Sequence, residues 1–185
     1  MKIITSPIEG ILTIEPKIFK DKRGFFMETY NQARYNESGI NATFVQDNLS
    51  YSQKNTLRGL HFQIKHPQAK LIQVISGEIF DVAVDLRPGF ATFGKWTGFY
   101  LSGENRRQVF IPEGFAHGFC VLSESALFHY KCSDFYAQDD EGGIIWSDPD
   151  IGIEWPVQNP IISEKDTQYH KLSNLTADEL PSFQV

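Results

Sequence analysis

The chain has 185 residues, 41% hydrophobic and 14% aromatic, with 17 basic against 23 acidic side chains and a formal charge of −6. This composition suits one folded domain with a sizeable core and excludes a disordered chain. A net negative surface repels polyanions, so neither nucleic acid nor an anionic membrane is an expected partner; an anionic small ligand would need a local cluster of Arg and Lys.

The opening segment, MKIITSPIEGILTIEPK, carries Pro7, Glu9 and Glu15 among its apolar residues. It reads as neither a signal peptide nor a membrane span, and a cytoplasmic location is the expectation. A first strand is expected over GFFMETY (24–30). A short helix follows over 31–39, capped by Asn31 and stopped at Gly39. Further strands are expected at 56–63, 69–76, 77–86, 95–102, 107–112, 117–123 and 125–133. The clearest is GEIFDVAVDL, where Phe80, Val82 and Val84 fall on one face and Ile79, Asp81, Ala83 and Asp85 on the other. Residues 134–168 are rich in Asp, Gly and Pro and read as loops, and TADEL (176–180) has capping-box spacing from Thr176 to Glu179. Many short strands without a long helical period indicate an all-β sandwich or barrel in a single domain spanning 1–185. Cys120 and Cys132 are read as reduced, packed thiols, because two cysteines form no disulfide framework.

Within these strands a few residues are chemically out of place. His61 in LRGLHFQ fits three readings: a general base, a metal ligand or a hydrogen-bonded core residue. PEGFAHG (112–118) resembles the second metal motif of cupin barrels. The first such motif needs two histidines one residue apart, whereas His61 and His66 are five apart and would point to opposite faces of a strand, so no metal is expected. Lys70 shares a face with Ile72 and Val74, a costly place for an ammonium unless it meets a partner or an anion. Tyr130 shares a face with Ala126 and Phe128, the expected inward side, where a tyrosine usually packs. Arg58 and His61 are three apart, so a regular strand would send them to opposite faces; a bulge at Gly59 would bring them together.

KDKRGFFMETYN, FVQDNLS, LRGLHFQ, GEIFDVAVDLRPGFATFGKW, IPEGFAHGFCVL, HYKCSDFY and SEKD stand in the order and spacing of the dTDP-4-dehydrorhamnose 3,5-epimerases of the dTDP-L-rhamnose pathway. The chain resembles that family over about residues 3–170. The resemblance implies a cupin-type jelly-roll barrel or sandwich with a few short helices, a homodimer, and no metal or cofactor. The implied reaction inverts dTDP-4-dehydro-6-deoxy-D-glucose at C3 and C5 to dTDP-4-dehydro-L-rhamnose. A relative inverting a single carbon of another nucleotide-linked 4-keto-6-deoxy sugar is the alternative. A metal-dependent cupin oxygenase and a non-catalytic nucleotide-sugar binding module are more distant rivals.

The resemblance also implies roles for residues. His61 is the implied base, Asp166 its partner, Tyr130 the acid and Lys70 the keto-side cation. Implied ligand contacts are Arg23, Glu28, Gln46, Asn48, Arg58, His117, Glu141 and Lys165, with Asp81 pairing with His117. Phe26 or Tyr136 is expected to stack on the thymine. Phe62, Phe135, Leu49, Ser50 and His129 depart from the residues usual in the family at those positions.

Overall fold

The computed structural model describes residues 1–183. Thirteen strands dominate: β1 (Lys2–Thr5), β2 (Leu12–Glu15), β3 (Ile18–Asp21), β4 (Gly24–Met27), β5 (Gln46–Gln53), β6 (Leu57–Gln63), β7 (Lys70–Ser76), β8 (Glu78–Asp85), β9 (Trp96–Ser102), β10 (Gln108–Ile111), β11 (Phe115–Val121), β12 (Ser125–Cys132) and β13 (Glu141–Gly143). They form a six-stranded sheet, order β1-β2-β10-β7-β12-β5, a five-stranded sheet, order β13-β6-β11-β8-β9, and a separate β3–β4 hairpin. The two large sheets face each other across a shared core. Ile72, Val74, Val109, Ala126 and Phe128 come from one sheet; Ile79, Ala83, Leu101, Phe119 and Val121 come from the other. This is the expected all-β sandwich.

Both faces of the five-stranded sheet are covered. Leu57, Leu60, Phe62, Phe80, Val82, Val84 and Cys120 turn outward and are buried beneath Ile144, Ile151 and the indoles of Trp146 and Trp155. The two faces read in 77–86 are therefore both interior: one lies between the sheets, the other under the loops after β13. Cys120 and Cys132 are buried free thiols, as expected.

The outer face of the six-stranded sheet is covered only in part. Tyr35 and Ile40 pack there with Ile14, Leu71 and Phe110. Tyr35 belongs to α1 (Gln32–Glu37), whose first turn is capped by Asn31 Oδ1 accepting from the Arg34 N–H at 3.3 Å. Gly39, at φ +90°, leads the chain out of the helix. Leu49, Tyr51 and Ile75 remain exposed on the strands beyond. The second expected helix is smaller than its sequence suggests. Ala177–Glu179 is a single 3₁₀ turn closed by the Thr176–Glu179 capping box, and Pro181 follows. Among the described residues no helix is long and apolar enough to cross a membrane.

The bulge at Gly59 is present. β6 pairs His61 with His117 and Arg58 with Phe119, three residues spanned on one strand against two on the other. Leu57, Leu60 and Phe62 face outward as a result, while Arg58 and His61 both reach the space between the sheets. Gly59 has φ +127°, and a Cβ there would stand 2.5 Å from Gly118 Cα and 2.8 Å from the His117 carbonyl oxygen. Both the conformation and the space demand glycine. Gly59→Ala is expected to cost at least about 3 kcal/mol, read from the urea midpoint, because backbone occupies the space its methyl needs. A variant with an unchanged midpoint would contradict this account of the bulge.

Candidate active site

The two sheets leave a cavity of about 750 Å³ between them. Arg58, His61, His117 and Glu141 enter it from the five-stranded sheet. Gln46, Asn48, Lys70 and Tyr130 enter from the six-stranded sheet, and Lys165 and Asp166 from the SEKD loop. Ten of the twelve candidate residues thus converge on one space.

His61 is oriented by a buried carboxylate. Its Nε2 lies 2.8 Å from Asp166 Oδ1. Asp166 Oδ2 accepts the Gly59 N–H at 3.2 Å, and the Asp166 N–H donates to Ser163 Oγ at 3.1 Å. Burial opposes ionisation of Asp166, but the hydrogen bond and charge of His61, with the Gly59 and Ser163 contacts, outweigh it and hold the carboxyl below its usual range. An ionised carboxylate only accepts, so Nε2 carries the proton and Nδ1 keeps a free lone pair in the neutral ring.

A second pair lies beside the first on β11 and β8. His117 Nε2 stands 2.8 Å from Asp81 Oδ2, and the imidazole stacks on Phe128 with centroids 6.1 Å apart. Burial pushes the Asp81 carboxyl up, against the pull of His117 and Lys70. Among the described residues no group of three or more His, Cys, Asp or Glu side chains is arranged to hold a metal ion. His66 lies past the end of β6, where strand parity no longer applies, and faces Asp134 at 3.5 Å.

On the facing sheet, Lys70 is only 9% exposed, and its ammonium makes no hydrogen bond or ion pair among the described residues. Burial lowers its pKa, against the charges of Cys132, Asp81 and Glu141. Tyr130 is half-buried, and burial first, then the neighbouring Cys132 thiol, push its phenol up to about 12, with Arg58 pulling the other way. Gln46 Nε2 donates to Asn48 Oδ1 at 3.0 Å, and Asn48 Nδ2 reaches Cys132 Sγ at 3.5 Å. Arg58 Nε donates to Ser52 Oγ at 3.1 Å, and the residue lines the cavity. At the edge, Glu141 on β13 pairs with Lys165 and accepts the Tyr136 hydroxyl at 2.8 Å. Burial opposes its ionisation, but those two contacts win, and its pKa is lowered.

The pattern of the dTDP-4-dehydrorhamnose 3,5-epimerase family matches residues 5–174. The chain belongs to that family. It is an isomerase, an epimerase of sugar nucleotides, with the family's cupin-like fold. The dTDP-4-dehydrorhamnose 3,5-epimerase of Shigella flexneri is 55% identical over 173 residues, covering 92% of this chain and 96% of the relative. The solved 3,5-epimerase of Legionella pneumophila, in complex with dTDP-4-keto-L-rhamnose, superimposes with a TM-score of 0.96 at 50% identity, over 100% of this chain and 99% of that one. A dTDP-4-dehydrorhamnose 3-epimerase of Streptomyces niveus is more distant, at 39% identity over 90% of this chain and 81% of its own.

Two residues carried over from the family stand apart from this epimerase's own cavity. Arg23 sits at the turn of the β3–β4 hairpin, bonded to Asp21, with its side chain 84% exposed. Glu28 follows the hairpin and pairs with Arg34 at 2.7 Å. Phe26 lies on the same hairpin, whereas Tyr136 lines the cavity. Sequence reasoning missed Tyr169, whose ring meets that of His61 with centroids 5.8 Å apart. The only signal for it was its position three residues after Asp166. It also read Cys132 as a core thiol alone; the thiol is buried, yet it touches Asn48 of the cavity wall.

Proposed function

We propose that this epimerase converts dTDP-4-dehydro-6-deoxy-D-glucose to dTDP-4-dehydro-L-rhamnose by inverting C3 and C5. The observation that carries the reading is that His61 and Tyr130 approach one cavity from facing sheets. A hexose bound between them presents one side of its ring to an imidazole and the other to a phenol. The C4 ketone acidifies the C3 and C5 hydrogens by delocalising the resulting carbanion into an enolate. His61 Nδ1 takes the proton as general base, and Asp166 holds the tautomer and stabilises the imidazolium. Lys70 lies on the Tyr130 side with no hydrogen bond or ion pair among the described residues, and an enolate oxygen supplies a direct partner for its charge. Tyr130, neutral across the physiological range, delivers a proton to the opposite face, which inverts the carbon. The phenolate and imidazolium then exchange with solvent. Only protons move, so the chemistry calls for no redox cofactor.

Arg58 and Lys165 supply the local positive charge with which an acidic protein grips a diphosphate, through charge-assisted hydrogen bonds. His117, Gln46, Asn48 and Glu141 provide the polar wall around the nucleotide sugar, and Tyr136 a ring for the base. Arg23 and Glu28 do not line the cavity, and a homodimer in which a second copy brings them to it is the arrangement that uses them. The exposed Phe19, Phe25 and Phe26 of the same hairpin, and the uncovered Leu49, Tyr51 and Ile75, favour such an assembly. The two buried free thiols fit a reducing, cytoplasmic setting.

The test is incubation with the dTDP-4-keto-6-deoxyglucose substrate in heavy water, followed by proton NMR. Deuterium at both C3 and C5 with formation of the L-sugar is expected. Deuterium at one carbon alone would select the single-carbon reading, and ligand binding without any uptake would leave only a binding module.

A further inference from the structure

The proposed base is held at one point by Asp166, but a single hydrogen bond leaves an imidazole free to pivot about it. The contact that limits this pivot comes from Tyr169, whose ring crosses that of His61 at 65° with centroids 5.8 Å apart, an edge-on arrangement. Two features hold Tyr169 there. Gly143 of β13 is the direct partner of His61 across the sheet, and a Cβ on Gly143 would overlap three atoms of the Tyr169 ring. The φ of Gly143 lies outside the left-handed region, so it is space, not backbone conformation, that calls for glycine. The Ile145 N–H donates to the His170 carbonyl at 2.9 Å and ties the segment after Tyr169 to the end of β13. The Tyr169 hydroxyl is buried beside the carboxylates of Glu141 and Asp166 and makes no well-formed hydrogen bond among the described residues. A buried hydroxyl without a well-formed partner adds little to stability, so what the position gains comes mainly from the ring.

We propose that Tyr169 is a positioning residue for His61, its ring seated in the space vacated at Gly143 so that the imidazole keeps its plane through the proton transfer. The inference rests on the reading of His61 as the base. The proton transfer needs the imidazole held in its plane, whereas binding of the sugar nucleotide does not. The contact therefore acts on the chemical step more than on substrate binding. Tyr169 does not line the main cavity, and no contact between it and the sugar is required.

Steady-state kinetics on Tyr169→Leu, Tyr169→Phe, Gly143→Ala and His61→Asn test this, with deuterium uptake as a second readout. Tyr169→Leu is expected to lower kcat about 10- to 100-fold with KM within about 2-fold, the scale of loss seen when a reacting group is misplaced. Tyr169→Phe keeps the ring and is expected to stay within about 3-fold of wild type and to melt at about the same temperature, since it removes a hydroxyl that makes no well-formed hydrogen bond. Gly143→Ala displaces the ring from the opposite side, and its loss is expected to overlap with that of Tyr169→Leu in the double variant instead of adding to it. If Tyr169→Leu fails to fold, Gly143→Ala against wild type decides the matter by the same split of kcat from KM. Wild-type kcat in Tyr169→Leu, an equal loss in the Phe variant, or a loss confined to KM overturns the proposal. His61→Asn separates the two levels. Its loss of deuterium uptake with an unaffected Tyr169→Leu rejects the positioning role alone, whereas uptake surviving in His61→Asn rejects the base reading beneath it.

Discussion

His61→Ala is expected to lower kcat/KM by about 10³-fold or more and to abolish deuterium uptake at both carbons, because no other group with a free lone pair is held at that place. The neighbouring His117 does not substitute for it. It is turned onto Asp81 and stacked against Phe128, so its orientation serves a different part of the cavity wall. The variant also strips Asp166 of its main partner. A buried carboxylate left with only the Gly59 and Ser163 contacts costs about 1–3 kcal/mol, so melting must be followed beside activity. The pH behaviour has a definite sign. The folded-state pKa of Asp166 is depressed, so its contribution to stability is present above the unfolded carboxyl value and is lost as pH falls through the folded one. The His61–Asp166 contact therefore persists through the neutral range, and acid disrupts it only below the ordinary carboxylate range. Comparable turnover in a folded His61→Ala protein is the result that removes the proposed chemistry.

Tyr130→Phe is expected to lower turnover about 10²- to 10³-fold with little change in stability, because the hydroxyl makes no hydrogen bond among the described residues and the ring keeps its packing on Phe128. Proton removal by His61 survives in this variant. Deuterium is therefore expected to enter C5 without full inversion, since the proton returns from the side it left. Complete absence of exchange would assign the phenol a part in the first step as well. With its pKa pushed up to about 12, the phenol remains protonated until strongly alkaline pH. Any alkaline fall in activity near pH 9 must then survive in Tyr130→Phe, if residual activity is measured there; a fall abolished by the substitution would contradict the assignment.

Apart from 24–30, which is the shorter, exposed β4 (Gly24–Met27), the strands that the sequence exposed were those with apolar residues on at least one interior face. Seven of the expected strands, from 56–63 to 125–133, agree with β6 to β12 within two residues at either end. β5 was not expected because its inward residues, Gln46, Asn48, Ser50 and Ser52, are polar. Gln46, Asn48 and Ser50 line the cavity instead of the core and Ser52 accepts from Arg58, so the alternation that marks a strand is reversed and masked. β13 was absorbed into a loop for another reason: three residues, two of them glycine, carry no period at all.

For the site, the distance between sequence and space decides what was legible. Residue types and motif order were enough to name His61, Lys70, Tyr130 and Asp166 and to group them by family resemblance. Parity along single strands also put Tyr130 and Lys70 on inward faces, since alternation is a local property of the backbone. Which inward faces meet is not local. That His61 on β6 stands opposite the strands bearing Tyr130 and Lys70, that residue 166 returns to cap residue 61, and that the glycine at 143 makes room for Tyr169, all depend on sheet order and on packing between segments far apart in the chain. Sequence determined the chemical inventory and the local strand pattern; the pairing of the sheets decided which of those groups share a cavity, because close packing, not chain neighbourhood, brings them together.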